Sequence, residues 1–190
     1  MRIRLRPAHT PDQLAAIYSE PHDHWAWGYG HDIRVTQTIA LAQWLARSIG
    51  ATSAAYLSCG NGAILDALPV PTKHYGDFAT RWPICGPIEE TVAALGPPVD
   101  LFICSETFEH LDDPDTVAAM IAGKARTLIA STPLAETTDG NVEHYWGWDN
   151  DGFGSMLAAA GWRTLAQVDV AIPDSYTYQL WACTREDDRP

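Results

Sequence analysis

Apolar residues recur at helical spacing early in the chain and then break into short, strand-like runs. Between residues 34 and 49, Val35, Ile39, Trp44, Leu45 and Ile49 fall on or near one face of a 3.6-residue repeat, and Gly50 closes the run. A helix is expected there. Upstream, Thr10-Pro11-Asp12-Gln13 reads as a helix start: Thr10 as N-cap, Pro11 at the first helical position and Gln13 closing a capping box, with the helix reaching about Ser19. After Gly50 the runs at 54–58, 73–76, 82–85, 99–105 and 127–131 read as strands. Helices are expected between them at 63–68, 89–95 and 114–122, the last with Asp113 as N-cap. A further helix at 152–160 places Phe153, Met156, Leu157 and Ala160 at i, i+3, i+4 and i+7, with Gly161 as its C-cap. The final runs, 164–170 and 177–184, flank a Pro-Asp-Ser turn and predict an antiparallel hairpin. Strands alternating with helices imply an α/β fold: a parallel sheet covered on both faces, with the hairpin at its end.

Composition narrows the class. The 190 residues fit one domain, with residues 1–50 as N-terminal helices and 51–190 as the core, and a 46% hydrophobic content excludes a disordered chain. No window approaches the ~18 unbroken apolar residues of a membrane span. The opening MRIRLRPAHT has no apolar core of a secretory signal, so a cytoplasmic protein is expected. With 12 Lys+Arg against 24 Asp+Glu, the net charge of −12 opposes sequence-blind binding to nucleic acid. Cys59, Cys85, Cys104 and Cys183 form no C-x-x-C pair. The first three sit in or beside apolar runs, which predicts buried, reduced thiols.

Ligands of open α/β sheets bind beyond the carboxyl ends of the strands, so the chemistry there matters most. The first core strand ends in Ser58-Cys59-Gly60-Asn61-Gly62 and leads into a helix; small residues let backbone approach a ligand, and the helix start favours anionic groups. The next strand ends at Asp77, where a carboxylate can accept hydrogen bonds from ribose hydroxyls. The strand VDLFICS ends in Ser105-Glu106-Thr107-Phe108-Glu109-His110, placing two carboxylates and an imidazole beside the expected pocket.

In this order, SCGNG, GDF, DLFICSETFEHLDDPD, LIASTPL and EHYWGWDNDGFGSMLAAAGW resemble the class I S-adenosylmethionine-dependent methyltransferases over about residues 51–186. The most specific piece, DLFICSETFEHL, is similar to the fourth motif of a branch with a Ser-Glu-x-x-Glu-His block. The resemblance implies a Rossmann-like, mostly parallel seven-stranded sheet whose last strand is antiparallel. It also implies S-adenosylmethionine as cofactor: Ser58, Cys59, Gly60 and Gly62 would line its methionine part and Asp77 would hold the ribose. Phe78 and Ile88 would lie at the adenine, and Ser105 and Glu106 would close the pocket floor. The family's usual acid two positions before the first loop glycine is Tyr56 here, that glycine is Ser58, and no acid stands at Gly86-Pro87. These departures bear on cofactor affinity rather than on fold.

On this resemblance the reaction is methyl transfer to an oxygen or nitrogen of a small or exposed acceptor, with Glu106, Glu109 and His110 as the catalytic group and His110 as the base. The stretch 21–32, with His22, Asp23, His24, Trp25, Trp27, Tyr29, His31 and Asp32, is expected to form an aromatic lid. Trp25, Tyr29, His31, Arg34, His144 and Trp146 are the expected acceptor-pocket residues. Glu106, Glu109, His110 and His144 also resemble the metal ligands of small-RNA 3′-end 2′-O-methyltransferases. That implies, as an alternative, Mg²⁺ or Mn²⁺ and a ribose diol at an RNA end. A further alternative is a non-catalytic domain that binds a partner through its acidic, Trp-rich surface.

Overall fold

The computed structural model describes residues 1–18, 29–78, 82–137, 141–173 and 176–186. The lid residues His22, Asp23, His24, Trp25 and Trp27 lie outside them. Two helices precede the core strands, α1 (Pro11–Tyr18) and α2 (Tyr29–Ser48). The capping box at α1 forms as expected: Thr10 N donates to Gln13 Oε1 (2.8 Å) and Gln13 N to Thr10 Oγ1 (3.3 Å). Helix α2 begins five residues before the expected start, and Trp44 on it is 46% exposed rather than on the buried face. Arg34, Thr38, Ala42, Leu45 and Ala46 form that face instead.

The core strands are β2 (Ser53–Tyr56), β3 (Thr72–Asp77), β4 (Ile84–Cys85), β5 (Val99–Ser105), β6 (Ala125–Pro133), β8 (Trp162–Ala171) and β9 (Thr177–Arg185). They make one sheet in the order β4-β3-β2-β5-β6-β9-β8. Strands β2 to β6 pair in parallel, while β9 is antiparallel to both β6 and β8, as the hairpin signal predicts. Helices α3 (Ala63–Asp66), α4 (Ile88–Ala94), α5 (Pro114–Ala122) and α6 (Asn150–Ala159) complete the core. Asp113 caps α5 by accepting from Thr116 N (3.1 Å).

Strand alternation divides the interior into two layers. Ala55, Leu57, Phe102, Cys104 and Leu128 pack with Val92, Val117, Ile121 and Phe153 of α4, α5 and α6. Tyr56, Leu101, Ile103 and Ile129 face Ala42, Leu45 and Leu65 of α2 and α3. Cys104, Cys59 and Cys183 are buried and outside any disulfide, but Cys85 is exposed, because β4 is a two-residue strand at the sheet edge. Among the described residues, no helix is long and apolar enough to cross a membrane.

Two short strands have no counterpart in the sequence expectation. Trp146–Trp148 forms a strand, β7, which pairs antiparallel with β1 (Arg2–Arg4). The Arg2 and Arg4 guanidiniums stack 4.3 and 4.7 Å from the centroid of the Trp146 ring, and Leu5 N donates to the Tyr145 carbonyl (2.8 Å). The first residues thus strap down the segment that carries His144.

Candidate active site

Strand order reverses direction between β2 and β5, the kind of switch point at which ligands of open α/β sheets bind in a crevice beyond the strand ends. The loop after β2 is held from several sides. Gly60 N donates to Asp77 Oδ2 (2.8 Å), Cys59 N to the Gly76 carbonyl (2.9 Å), and the Trp82 indole to the Gly60 carbonyl (2.8 Å). Gly60 and Gly62 adopt left-handed backbone (φ 53° and 82°). At Gly62 a Cβ would press on the Trp82 and Tyr75 rings at 3.1–3.3 Å, so only glycine fits both the conformation and the space. Across the crevice, Ser58 Oγ lies 2.6 Å from Thr107 Oγ1, and the Tyr56 hydroxyl donates to the Ser105 carbonyl (3.0 Å). Tyr56 therefore ties β2 to β5 from inside the core, where burial pushes its phenol well above the ordinary value.

A directional polar chain crosses the floor. Arg34 Nη1 donates to Ser105 Oγ (2.9 Å), Ser105 Oγ lies 2.7 Å from Ser131 Oγ, and the Ser131 hydroxyl donates to Glu106 Oε1 (2.7 Å). Ser131 gives its single proton to Glu106 and must therefore accept from Ser105, so the protons along this chain all run from Arg34 toward Glu106. Burial raises the Glu106 carboxyl, and Arg34 and the Ser131 hydrogen bond counter part of that rise. Glu106 has φ 51°, an uncommon value for a residue with a side chain.

Glu109 lies on the short 3₁₀ turn Phe108–His110; it is fully buried, and among the described residues neither carboxylate oxygen accepts a hydrogen bond of good geometry, the Thr132 hydroxyl coming only near enough to offset part of the effect of burial. Burial raises its carboxyl well above the usual range, and the charge of Glu106 raises it further. One oxygen of Glu109 and one ring nitrogen each of His110 and His144 all lie within 4.8 Å of one another. The two imidazoles meet edge to face, with centroids 4.8 Å apart. His110 Nδ1 lies 3.0 Å from the Glu143 carbonyl oxygen, and His144 Nδ1 lies 2.7 Å from Glu136 Oε2. A buried carboxylate without a well-formed hydrogen bond beside two imidazoles suits a proton, a cation or a positively charged group.

No protein-family model and no curated protein matches this chain, but solved structures do. The 1,6-didemethyltoxoflavin-N1-methyltransferase of Burkholderia thailandensis, with bound 1,6-didemethyltoxoflavin and S-adenosylhomocysteine, superposes with a TM-score of 0.69 at 16% identity, covering 96% of this chain and 93% of its own. The N-methyltransferase NodS of Bradyrhizobium japonicum, in complex with S-adenosylhomocysteine, gives 0.70 at 13% identity over 92% and 98%. Magnesium protoporphyrin IX methyltransferase of Synechocystis, with bound S-adenosylmethionine, gives 0.64 at 16% identity over 94% and 100%. The chain has the class I methyltransferase fold.

Within the methyltransferase fold, the residues singled out from sequence fall into three groups. Ser58, Gly60, Gly62, Asp77, Ser105 and Glu106 gather around the switch-point crevice, as described above. Phe78 follows β3 directly and is half-buried; Cys59 and Ile88 are buried in the two core layers. At the second centre, His144 joins Glu109 and His110, while Glu106 is engaged by Ser131, so three of the four residues resembling metal ligands converge. His31 reaches Arg34 (3.2 Å), and Tyr29 opens α2. Trp146 does not join them: its ring is held by Arg2, Arg4 and Trp148, and its indole donates to the Leu111 carbonyl (2.9 Å). Sequence reasoning missed Trp82, Thr107, Ser131, Glu136 and Asn141. Two of these carried a positional signal: Thr107 lies inside the block that follows β5, and Ser131 ends the TLIAS run, opposite Ser105.

Proposed function

We propose that this chain is an S-adenosylmethionine-dependent methyltransferase that moves a methyl group to an oxygen or nitrogen of a small or exposed acceptor. The observation that carries the reading is the glycine loop after β2, clamped to Asp77 and facing Ser105–Thr107 across the switch point. Two glycine φ values in the left-handed region leave backbone open to the methionine end of the cofactor, and Asp77 stands where ribose hydroxyls would donate. The sulfonium is already an activated donor, so the work of the chain is to bind it, exclude water and align the acceptor in line with the S–CH₃ bond. His110 supplies the base. Its Nδ1 hydrogen bond to the Glu143 carbonyl requires a proton on that nitrogen, which leaves Nε2 as the basic atom of the neutral ring.

Calorimetric titration with S-adenosylhomocysteine tests the cofactor assignment directly. Asp77→Ala is expected to weaken binding roughly 10- to 100-fold, the loss of one or two hydrogen bonds to a charged group. No binding to the unaltered protein at millimolar ligand would sink the reading and leave a non-catalytic, partner-binding domain. Once an acceptor is found by screening amines and hydroxyl compounds with labelled cofactor, His110→Ala should lower turnover about 100-fold or more. Its affinity for S-adenosylhomocysteine should stay unchanged, and equal turnover would remove His110 from the mechanism.

The cluster of Glu109, His110 and His144 favours one second reading, a metal-dependent methyltransferase acting on a ribose diol. One carboxylate and two imidazoles fit Mn²⁺ better than Mg²⁺, which prefers an all-oxygen shell. A bound ion would orient the diol and lower the pKa of the attacking hydroxyl. The net charge of −12 confines any RNA contact to an end that enters the pocket.

A further inference from the structure

Glu136 belongs to none of the expected site residues, yet its carboxylate is buried and directed at His144. The protonation of this imidazole follows from its neighbours. Glu143 N donates to Asn141 Oδ1 (2.9 Å), and a backbone N–H can only donate, so that atom of the amide is the oxygen. The other end of the amide, Nδ2, lies 3.0 Å from His144 Nε2 and must donate to it. Nε2 therefore carries no proton. The ring proton sits on Nδ1 and is given to Glu136 Oε2 at 2.7 Å. Every partner around the ring agrees on one tautomer.

We infer that Glu136 is a positioning residue that locks His144, which converges with Glu109 and His110, as its Nδ1–H tautomer and thereby leaves Nε2 unprotonated. The backbone around Glu136 is built for this. Ala135 adopts φ 56°, its N–H donates to the Trp148 carbonyl (2.6 Å), and the Glu136 carbonyl packs against Gly147 with no room for a side chain there. The carboxylate thus comes from the end of β6, while the imidazole comes from the segment strapped by β1. In the resting structure Asn141 occupies the Nε2 lone pair, and an acceptor N–H or O–H that displaces the amide meets a nitrogen already oriented and free of its proton. The catalytic meaning of the pair rests on the methyl-transfer reading; the tautomer does not.

The test is long-range proton–nitrogen correlation spectroscopy on protein carrying ¹⁵N-histidine, with the His144 signals assigned by their loss in His144→Gln. The unaltered protein is expected to show a pyrrole-type Nδ1 and a pyridine-type Nε2. Glu136→Ala should shift the tautomer ratio toward Nε2–H by roughly tenfold or more, as loss of a hydrogen bond to a charged group predicts. Glu136→Gln, which keeps an accepting oxygen, should retain most of the original tautomer. An Nε2–H ring in the unaltered protein overturns the inference without any variant, as does an unchanged ratio in folded Glu136→Ala. Calorimetry with S-adenosylhomocysteine on the same samples separates the two levels: tautomer as expected with no binding defeats the methyl-transfer reading alone, and binding with the wrong tautomer defeats this inference alone.

Discussion

Gly147→Ala is expected to lower the melting temperature by about 6–12 °C, or to prevent folding altogether. A Cβ on Gly147 would fall inside the van der Waals surface of the Glu136 carbonyl oxygen, while Ile3 would lie at ordinary contact distance. The obstacle is backbone, which limits relief. Either β7 must move off the Ala135–Glu136 turn, or that turn must unwind. Movement of β7 would drag Trp148, which is fully buried and whose carbonyl accepts from Ala135 N (2.6 Å) and Gln179 Nε2 (3.1 Å). Overpacking of this kind costs about 3 kcal/mol or more, and each kcal/mol shifts melting by roughly 2–4 °C in a chain of this size. Gly96→Ala is the matched control, because a Cβ there meets nothing within 4 Å. Thermal unfolding followed by circular dichroism decides it, and equal melting of the two variants would mean that the turn yields easily.

Glu109→Gln should stabilise the metal-free protein, increasingly so as the pH rises. The carboxyl of Glu109 is buried with no hydrogen bond of good geometry among the described residues, and burial, then the charge of Glu106, raises its pKa well above the usual carboxylate range against a smaller lowering from Thr132. A group whose folded pKa is raised binds its proton more tightly in the folded state. Its favourable contribution is therefore complete below the unfolded value of about 4.3 and is lost as the pH climbs toward the folded value. Glutamine has the same shape and never ionises. After dialysis against a chelator, variant and parent should melt nearly together near pH 4 and separate by several degrees at pH 8. A gap that does not change with pH would show that Glu109 is not the strained charge. Adding Mn²⁺ at pH 8 extends the experiment: a rise in melting for the parent but not for the variant supports the metal-dependent reading, and no rise in either removes it.

Much of the fold was legible because its signals are local. Strand β5 and helix α5, with its Asp113 cap, fall at their expected residues, and the hairpin of β8 and β9 was announced by two runs around one turn. The strand of Trp146–Trp148 was not, because it is three residues long and owes its existence to Arg2–Arg4, far away in sequence. Trp44 misled for a related reason. Helical spacing gives a face but not its exact edge, and the buried stripe of α2 runs through Arg34 and Thr38, whose polar side chains hide from a hydrophobic pattern.

The candidate site divides the same way. Glycine positions after β2, the acid ending β3 and the carboxylate–imidazole block ending β5 could be read from the chain, because strand ends locate them and each residue type carries its own chemistry. Glu136 and Asn141 could not. They are ordinary loop residues whose role is a hydrogen-bond direction at one imidazole, set by contacts between β6, the β7 segment and the N-terminal strap. Sequence alone therefore determined the elements, the α/β class and the chemistry at the strand ends, since periodicity and turn residues act over a few positions. Only the tertiary structure decided that Glu109 is buried with no well-formed hydrogen bond among the described residues and that His144 is claimed by Glu136, since pairing of buried polar groups depends on packing between distant segments and leaves no periodic trace.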